Sequence, residues 1–424
     1  MKDQLLFSSD ESTTDHPDDY SNSSRSIAPN DNDSDNNNYY WWRWAAEFDH
    51  VKKMQMKLDH ERLIFPGGGR ASSHFTAAAR MRVVRELERL LLVSTHQEGV
   101  NELRHKLLMY RSGDFWMPTG GLAKENMDIP PVATILLVGF SASGKSSLVN
   151  LMYSVLGRSG LVPFAQTSPP PGSFSNNPKS TSMILKEHNV LRSLRSGFCV
   201  YDSRGFDYNR IGEGLEELSS WMSDGIHHNQ VCLRPGDDVE ESVLMNLPDM
   251  DVISKFARRK VNCAMVVANM AEIYKAFQAG DSKPMDATKQ LFCSVNNAFT
   301  NIYNDESTIL ILTHGDMLTT EERIEGRLKI CECLGVSETS GVYDIVTCLS
   351  EYGFLAEESD PVSAYALSEA VYMALLLSDR THSPKKTLGD LAVLILSSIM
   401  CFLASIFGLL AQICLKLGRH SKDV

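Results

Sequence analysis

The pattern of apolar and polar positions changes sharply along the chain. Residues 1–38 are rich in Ser, Asp and Asn and contain almost no aliphatic residues after Leu6. Such a segment buries too little apolar area to offset the entropy lost on ordering, so we predict a disordered tail. From Thr76 to Tyr110 apolar residues recur at helical spacing among Arg and Glu. This pattern predicts amphipathic helices that either pack on the following domain or pair with another protomer.

From Ile129 onward, short apolar runs rich in β-branched residues alternate with helical stretches such as Ile211–Met222 and Met285–Phe299. The predicted strands are Val132–Val138, Phe198–Tyr201, Val261–Val267, Thr308–Thr313 and Val342–Val346. Fully apolar strands that alternate with helices are typical of a mainly parallel sheet covered by helices on both faces. We therefore predict an α/β domain over residues 129–380, preceded by a helical region over residues 39–128.

The longest apolar run lies near the C-terminal end. Residues Leu391–Leu415 form a run of 25 without a charge. A helix of this length reaches roughly 37 Å, which is enough to cross a hydrocarbon core of about 30 Å with some tilt. A linker over 381–390 precedes this run, and a short tail over 416–424 follows it. We predict a single-pass tail anchor with the preceding chain in the cytosol, in the membrane of the ER or the outer membrane of another organelle.

Composition narrows the classes of partner. The net charge of −12 argues against nonspecific nucleic-acid binding, which needs a positive surface. An anionic small ligand would have to be met by local donors and a bound cation. The nine cysteines fall mostly in apolar runs, and no second pair joins Cys331 and Cys333 to complete a zinc-type set. Reduced thiols in the cytosol are the simplest interpretation.

The first candidate for chemistry is a glycine-rich loop. Residues Gly139–Ser146 fit the pattern G-x-x-x-x-G-K-[ST], between a predicted strand and a predicted helix. Successive backbone N–H groups in such a loop surround a β-phosphate, and the helix N-terminus adds its dipole. Lys145 is placed to bridge the β- and γ-phosphates, and Ser146 to bind Mg²⁺. The predicted nucleotide contacts in this segment are Gly139, Ser141, Ala142, Ser143, Gly144, Lys145, Ser146 and Ser147.

Two further strand ends carry polar residues. Asp202 follows an apolar strand and begins a D-x-x-G sequence that ends at Gly205. Its carboxylate is predicted to hold Mg²⁺ through water, and the Gly205 N–H to reach a γ-phosphate. Asp316 follows another strand, and its carboxylate can accept two hydrogen bonds from the N1–H and amine of guanine. Adenine lacks that pair of donors, and His314 is placed to lie over the base.

In this order the three motifs resemble those of the translation-factor-class P-loop GTPases, and within that class the septin-related AIG1/Toc34 group, whose members are often tail-anchored. The resemblance covers about Ile129 to Ser378 and implies GTP or GDP with Mg²⁺ as cofactors. The family motif [NT]-K-x-D stands here as Thr313-His314-Gly315-Asp316, without its Lys. Thr313, His314 and Asp316 are the implied base contacts.

The resemblance also implies a switch threonine and a last base contact. Thr181 is the first choice for the threonine, as a Mg²⁺ ligand beside Ser146 and Asp202, and Thr167 is the second choice. The implied catalytic residues are Lys145, Thr181 and Gly205. The last base contact is expected near residues 347–349, where no motif matches.

The residue after the D-x-x-G sequence departs from the small-GTPase pattern. Many small GTPases place a Gln there to orient the attacking water, and this chain has Phe206. An apolar side chain cannot orient water, so a hydrolytic group must come from a homodimer partner, an activating protein or another loop. Arg204 and Arg210 are nearby candidates, and the favoured alternative for each is an ordinary surface charge. We expect slow intrinsic GTP hydrolysis.

Three functions are compatible with these motifs. The leading hypothesis is a membrane-anchored GTPase switch, in which GTP and Mg²⁺ order the segments around Thr181 and Asp202. The second is a scaffold that holds nucleotide without hydrolysing it and interacts through its N-terminal helices. The third is an ATPase or small-molecule kinase on the same phosphate loop.

Overall fold

The computed structural model describes residues 71–94, 97–118, 123–157, 165, 183–192, 197–234, 258–300, 308–346, 360–380, 382, 384–385 and 388–420. Several predictions fall on other residues. The predicted tail over 1–38, both candidate switch threonines (Thr167 and Thr181) and the expected base contact at 347–349 lie outside the described residues.

The strands of the described part form one mixed sheet. They are β1 (Ala133–Gly139), β2 (Ile184–Arg192), β3 (Gly197–Asp202), β4 (Gln230–Val231), β5 (Cys263–Asn269), β6 (Ile309–Thr313) and β7 (Val342–Asp344). Their spatial order is β4-β2-β3-β1-β5-β6-β7. The five strands from β3 to β7 in this order run parallel, and β2 is antiparallel to both β3 and β4. The predicted mainly parallel sheet is therefore confirmed, with an antiparallel edge.

Helices connect and flank the strands. They are α1 (Ala71–Ser94), α2 (Gln97–Met109), α3 (Lys145–Gly157), α4 (Ile211–Asp224), α5 (Met270–Gln278), α6 (Lys283–Thr300), α7 (Thr320–Leu334), α8 (Pro361–Arg380) and α9 (Leu388–His420). Helix α7 begins with a capping box between Thr319 and Glu322 and ends at Gly335 in a left-handed conformation. Both signals satisfy backbone groups that the helix itself leaves unpaired.

The two faces of the sheet carry separate cores because successive side chains of a strand point to opposite sides. Ile135 and Leu137 of β1 pack with α1, α3 and α8. Leu136 and Val138 pack with α4, α5, α6 and part of α7. All four side chains are fully buried, which explains why β1 reads as an unbroken apolar run.

The sequence analysis named no strand over β2, and the structure explains why. This strand has the sequence ILKEHNVLR, in which Lys186 and Glu187 interrupt the apolar residues. Among the residues of β2 whose burial is described, Leu185, His188 and Val190 are buried. Leu185 packs into the core on one face of the sheet and Val190 into the core on the other, and the register with β3 shifts between His188 and Leu191. The buried positions therefore form neither the unbroken apolar run of a central strand nor a simple alternation.

The N-terminal helices pack on the α/β body, which was one of the two predicted alternatives. Val83, Val84 and Leu87 of α1 share a core with α8. Outside that core, Arg89 pairs with Glu369 of α8 at 2.7 Å. These contacts make α1 and α2 part of the same body as the sheet.

Within the described residues, two helices are long and apolar enough to cross a membrane, namely α8 and α9. Most of α8 is buried beneath the sheet, where Ala364, Leu367 and Val371 are in the core. In contrast, every residue of α9 from Ile395 to Gln412 is exposed. Helix α8 therefore has protein packed around it, whereas this stretch of α9 has none from the described residues.

Candidate functional site

The candidate residues lie at the carboxyl edge of the parallel strands. The chain moves from β1 to β3 on one side of the sheet, and later to β5 and β6 on the other. Ligands of open α/β sheets bind where the strand order reverses in this way. The loops that follow β1, β3 and β6 meet at this edge.

The loop after β1 has a backbone that favours anion binding. Ala142 and Gly144 both have positive φ, at 59° and 90°, and α3 begins immediately afterwards at Lys145. Alternation of left- and right-handed residues turns successive N–H groups to one side of a loop. At Gly139, a Cβ atom would lie 2.2 Å from the carbonyl oxygen of Val267 on β5. Only glycine fits where this loop leaves the sheet.

Lys145 lies across its own loop. Its Nζ donates hydrogen bonds to the carbonyl oxygens of Gly139 at 3.0 Å and Phe140 at 2.9 Å. Burial lowers the pKa of Lys145 to about 8, and the neighbouring charge of Arg234 lowers it further while Asp202 opposes the shift. Among the described residues this buried ammonium contacts carbonyl acceptors alone, so it is well placed to gain an anionic partner.

Ser146 and Asp202 form an oxygen pair between α3 and the end of β3. The Ser146 hydroxyl donates to Asp202 Oδ2 at 2.6 Å. Within the described residues, Asp202 Oδ1 is buried and has no hydrogen-bond partner. Burial raises the pKa of Asp202, while Lys145 and the Ser146 hydrogen bond oppose the rise. A buried carboxylate oxygen without a donor costs free energy unless a cation or proton meets it.

These oxygens fit Mg²⁺, which prefers oxygen ligands and is usually held by one or two protein groups together with water and phosphate. No group of three His, Cys, Asp or Glu side chains is placed to hold a metal within the described residues. Two protein oxygens are compatible with a Mg²⁺ that completes its shell on a nucleotide.

Phe206 is joined to the glycine-rich loop by backbone hydrogen bonds, and Gly205 lies close against the same loop. Phe206 N–H donates to the Gly139 carbonyl at 3.0 Å, and Ser141 N–H donates to the Phe206 carbonyl at 2.9 Å. A Cβ on Gly205 would lie 2.6 Å from Ser141 Cα, so this close approach requires glycine. The Phe206 ring is 1% exposed and lies 6.3 Å from the Trp221 ring, centroid to centroid.

The arginines near this loop contact other protein groups. Arg204 donates to the Cys232 carbonyl at 2.7 Å, and Arg210 pairs with Glu213 of α4 at 2.6 Å. Arg234 instead donates to the Gly205 carbonyl at 2.8 Å and to Glu217 at 2.7 and 3.0 Å. Its guanidinium also lies 5.1 Å from the centre of the Phe206 ring.

Sequence reasoning missed Arg234, because it begins a polar loop 29 positions after Gly205. No local pattern marks such a residue as a neighbour of the D-x-x-G sequence. Only the antiparallel return of the chain through β4 brings it there.

The loop after β6 contacts the glycine-rich loop directly. Thr313 Oγ1 donates to the Ser143 carbonyl at 2.8 Å, with the Ala268 carbonyl at 3.2 Å as a second acceptor. His314 Nδ1 lies 2.9 Å from the same Thr313 oxygen. Because the hydroxyl hydrogen points to the carbonyls, we assign Nδ1 as the protonated ring nitrogen.

The backbone of the loop after β6 packs against the side chain of Arg323. His314 has a left-handed φ of 57° and precedes a short 3₁₀ turn over Gly315–Met317. A Cβ on Gly315 would lie 2.4 Å from Arg323 Nε. The buried Arg323 makes a bidentate pair with Asp344 at the end of β7, at 2.5 and 2.7 Å. Asp316 is half-buried in this turn.

The structure thus brings together most of the predicted site residues. The glycine-rich loop contacts Asp202, Gly205 and Thr313 directly. His314 lies beside Thr313, and burial lowers the pKa of His314 while Asp316 opposes the change. Ser147 lies half-buried in the first turn of α3.

Comparisons with known proteins add little to this geometry. No family model matches the chain, and no curated protein sequence matches it. Among solved structures, it matches the signal recognition particle receptor SRb-GTP/SRX complex from Chaetomium thermophilum. The identity is 14%, the match covers 52% of this chain and 95% of that chain, and the TM-score is 0.26. A TM-score this low carries no argument about a shared function.

Proposed function

We propose that this chain binds GTP or GDP with Mg²⁺ at the carboxyl ends of β1, β3 and β6, and acts as a nucleotide-dependent switch at a membrane. One observation supports the proposal above all. The glycine-rich loop accepts a hydrogen bond from Thr313 at Ser143, and the helix that follows it donates one from Ser146 to Asp202. Phosphate, metal and base contacts of a nucleotide need these three segments side by side.

The roles of the phosphate-side residues follow from their chemistry. Lys145 would leave the loop carbonyls to bridge the β- and γ-phosphates. Ser146 would bind Mg²⁺ directly and Asp202 through water, with Thr181 as a further proposed ligand. The Gly205 N–H would contact the γ-phosphate and report its presence to the segment that Arg234 holds.

The proposed preference for guanine rests on Asp316. A carboxylate accepts two hydrogen bonds from guanine, whereas adenine offers no matching pair of donors. The hydrogen bond from Thr313 to Ser143 holds the base-side loop against the phosphate side, and His314 is proposed to lie along the base.

The proposed intrinsic hydrolysis is slow because Phe206 stands where a water-orienting group would be needed. Its ring is packed into the core between Trp221 and Gly214. A homodimer partner or an activating protein is therefore the proposed source of the missing group. The same burial of Phe206 favours one alternative, a scaffold that holds nucleotide without hydrolysing it.

The proposed membrane attachment rests on α9, in which residues 391–415 carry no charge and every residue from Ile395 to Gln412 is exposed. An apolar helix exposed on all sides is costly in water and stable in a bilayer. We propose a single-pass tail anchor with residues 129–380 as the nucleotide-binding domain in the cytosol. The segments 381–390 and 416–424 are the linker and the short tail.

Calorimetric titration of the full chain in detergent tests this function. GDP, GTPγS and ATPγS are compared with Mg²⁺ present, on the unmodified chain, Lys145→Ala and Asp316→Asn. Asp224→Asn serves as the control, because Asp224 is an exposed carboxylate at the last residue of α4, about 20 Å along this helix from the loop that precedes it. Guanine-nucleotide binding that the first two variants weaken and the control does not supports the proposal.

No binding by the folded chain would overturn the proposal, and equal binding of ATPγS would overturn its guanine preference. Single-turnover hydrolysis of bound GTP then separates a switch from a scaffold. The switch predicts slow but measurable phosphate release, which an activating partner would accelerate.

A further inference from the structure

The α/β body is fastened to the chain immediately before α9. Pro384 pairs with Met127 in an antiparallel bridge. The Lys385 N–H donates to the Asn126 carbonyl at 2.7 Å, and Lys385 Nζ donates to the Glu125 carbonyl at 2.7 Å. Only residues 386 and 387 separate this attachment from the first residue of α9.

A buried carboxylate holds a second segment at the same corner of the body. Asp379, near the end of α8, accepts hydrogen bonds from the Tyr110 hydroxyl, the Gly113 N–H and the Phe115 N–H at 2.8, 2.8 and 2.9 Å. His382 Nε2 lies 3.3 Å from the same carboxylate. The loop that follows α2 is therefore fixed next to the C-terminal end of α8, from which the chain continues to α9.

The last turn of α2 and this fixed loop carry exposed apolar side chains. Leu108, Met109 and Met117 are 56%, 64% and 65% exposed, and we call them the methionine patch. Asp114 of the same loop lies 3.9 Å from Lys124, which belongs to the short turn that Lys385 contacts. The patch and the attachment point are thus neighbours.

The short connection limits how far this corner can be from a bilayer. From Lys385 to Leu391, where the uncharged run begins, the chain spans at most about 15 Å, with three extended residues and three helical ones. The headgroup layer on each side of a bilayer is itself roughly 5–8 Å thick. If α9 spans a membrane, the corner around Lys385 lies at or beside the headgroups.

We propose, on the basis of the membrane anchor proposed above, that the methionine patch docks on the surface of the bilayer that α9 enters. The α/β body can rotate about its attachment at Lys385. A rotation that turns the methionine patch towards the lipid removes its three apolar side chains from water. Docking would hold the nucleotide-binding body in one orientation relative to the membrane.

The chemistry of the patch favours a shallow apolar contact over electrostatic attraction. Unbranched Met side chains adapt to an irregular surface. Arg111, Lys124 and Lys385 can meet lipid phosphates, and Asp114 and Glu125 stand among them. The two acids offset most of the charge of the three bases, so docking should depend only weakly on anionic lipid or on salt.

The chain offers a matched control in Leu92, which is 67% exposed. It lies near the start of α2, and α2 runs about 18 Å from Gln97 to Met109. Gly99 lies against Val93, the residue after Leu92, and against Tyr365, which is 14 positions before Asp379 on α8. Leu92 therefore has the same apolar exposure at the end of the body remote from the attachment.

Site-specific photocrosslinking tests the docking. The full chain is inserted into phosphatidylcholine vesicles that contain a labelled lipid, with a benzophenone amino acid at Met109, Met117 or Leu92. We first measure whether each variant still floats with the vesicles after a wash with alkaline carbonate. We expect lipid adducts at Met109 and Met117 to exceed those at Leu92 at least fivefold, with little change on adding salt.

The outcomes separate the docking from the anchor. If the variants float after the carbonate wash but the lipid adducts are equal at all three positions, or occur mainly at Leu92, the docking is overturned. The membrane anchor would still stand. Crosslinks from Met109 and Met117 to a protein chain in place of lipid overturn the docking too. Failure to float overturns the anchor itself, and the docking with it.

Discussion

The hydroxyl of Thr313 donates a hydrogen bond of 2.8 Å to the carbonyl oxygen of Ser143, although the two residues are 170 positions apart. This single bond joins the base-side loop to the phosphate-side loop. Both residues are buried, so the bond is shielded from competition by water.

Replacement of Thr313 by Val tests the role of this hydrogen bond. The variant keeps the shape of the side chain and leaves the buried Ser143 carbonyl without its donor, at a cost of about 1–3 kcal/mol in the free energy of unfolding. We expect weaker binding of GDP and GTPγS alike, measured by calorimetry beside thermal unfolding. The matched control is Thr288→Val, because the Thr288 hydroxyl makes an equally buried bond to the Pro284 carbonyl inside α6. Equal losses of nucleotide affinity in the two variants would contradict a specific role of the Thr313–Ser143 hydrogen bond in binding.

The lowered pKa of Lys145 predicts how stability and nucleotide affinity change with pH. Burial lowers the pKa of its ammonium to about 8, below the unfolded value of about 10.4. The native state then binds fewer protons than the unfolded state between these values, so nucleotide-free stability from this group rises as pH increases from about 8 to 10. Nucleotide affinity should fall over the same range, because the phosphates need the charged form.

The matching variant is Lys145→Met, which removes the buried charge and keeps much of the volume. Without nucleotide it should be at least as stable as the unmodified chain near pH 7, and its stability should lose the rise above pH 8. Chemical denaturation at several pH values measures both effects. A variant much less stable at pH 7 would show that the two carbonyl hydrogen bonds outweigh the burial of the charge.

Asp202 gives a prediction for metal removal. Asp202→Asn should weaken GTPγS binding about tenfold or more when Mg²⁺ is present, because a charged ligand of the metal shell is lost. With the metal chelated, the variant and the unmodified chain should bind GDP within about twofold of each other. Titrations with Mg²⁺ and with EDTA make the comparison. A loss of the same size in EDTA would show that Asp202 only supports the fold.

Arg234 is expected to affect the loop that contains Gly205. Its hydrogen bond to the Gly205 carbonyl holds the backbone whose N–H is proposed to contact the γ-phosphate. Arg234→Lys keeps the charge and loses the planar fork. We expect GTPγS affinity to fall about tenfold, the value of one charge-assisted hydrogen bond, with GDP affinity nearly unchanged.

The control for Arg234 is Arg210→Lys, whose guanidinium pairs within its own helical turn with Glu213. It should leave both affinities unchanged. If GDP and GTPγS binding fall together in Arg234→Lys, then Arg234 maintains the fold of the loop rather than its response to the γ-phosphate.

Much of this protein follows from the sequence alone, because the relevant signals are local. Uninterrupted apolar runs identify the central strands β1, β3, β5 and β6, since both their sides are buried. The spacing of Gly139, Gly144 and Lys145 predicts the strand, loop and helix that the structure contains. The uncharged run from Leu391 identifies a helix in which every residue from Ile395 to Gln412 is exposed.

The tertiary structure decided what depends on contacts between distant segments. Strand β2 shows no clear pattern because polar residues interrupt it and its register with β3 shifts between His188 and Leu191. Its direction depends on pairing with β3. The position of Arg234 on Gly205 follows from the return of the chain through β4, and that of Thr313 on Ser143 from the packing of β6 beside β5. No local periodicity encodes such contacts, because each arises only when the sheet brings remote strand ends to one edge.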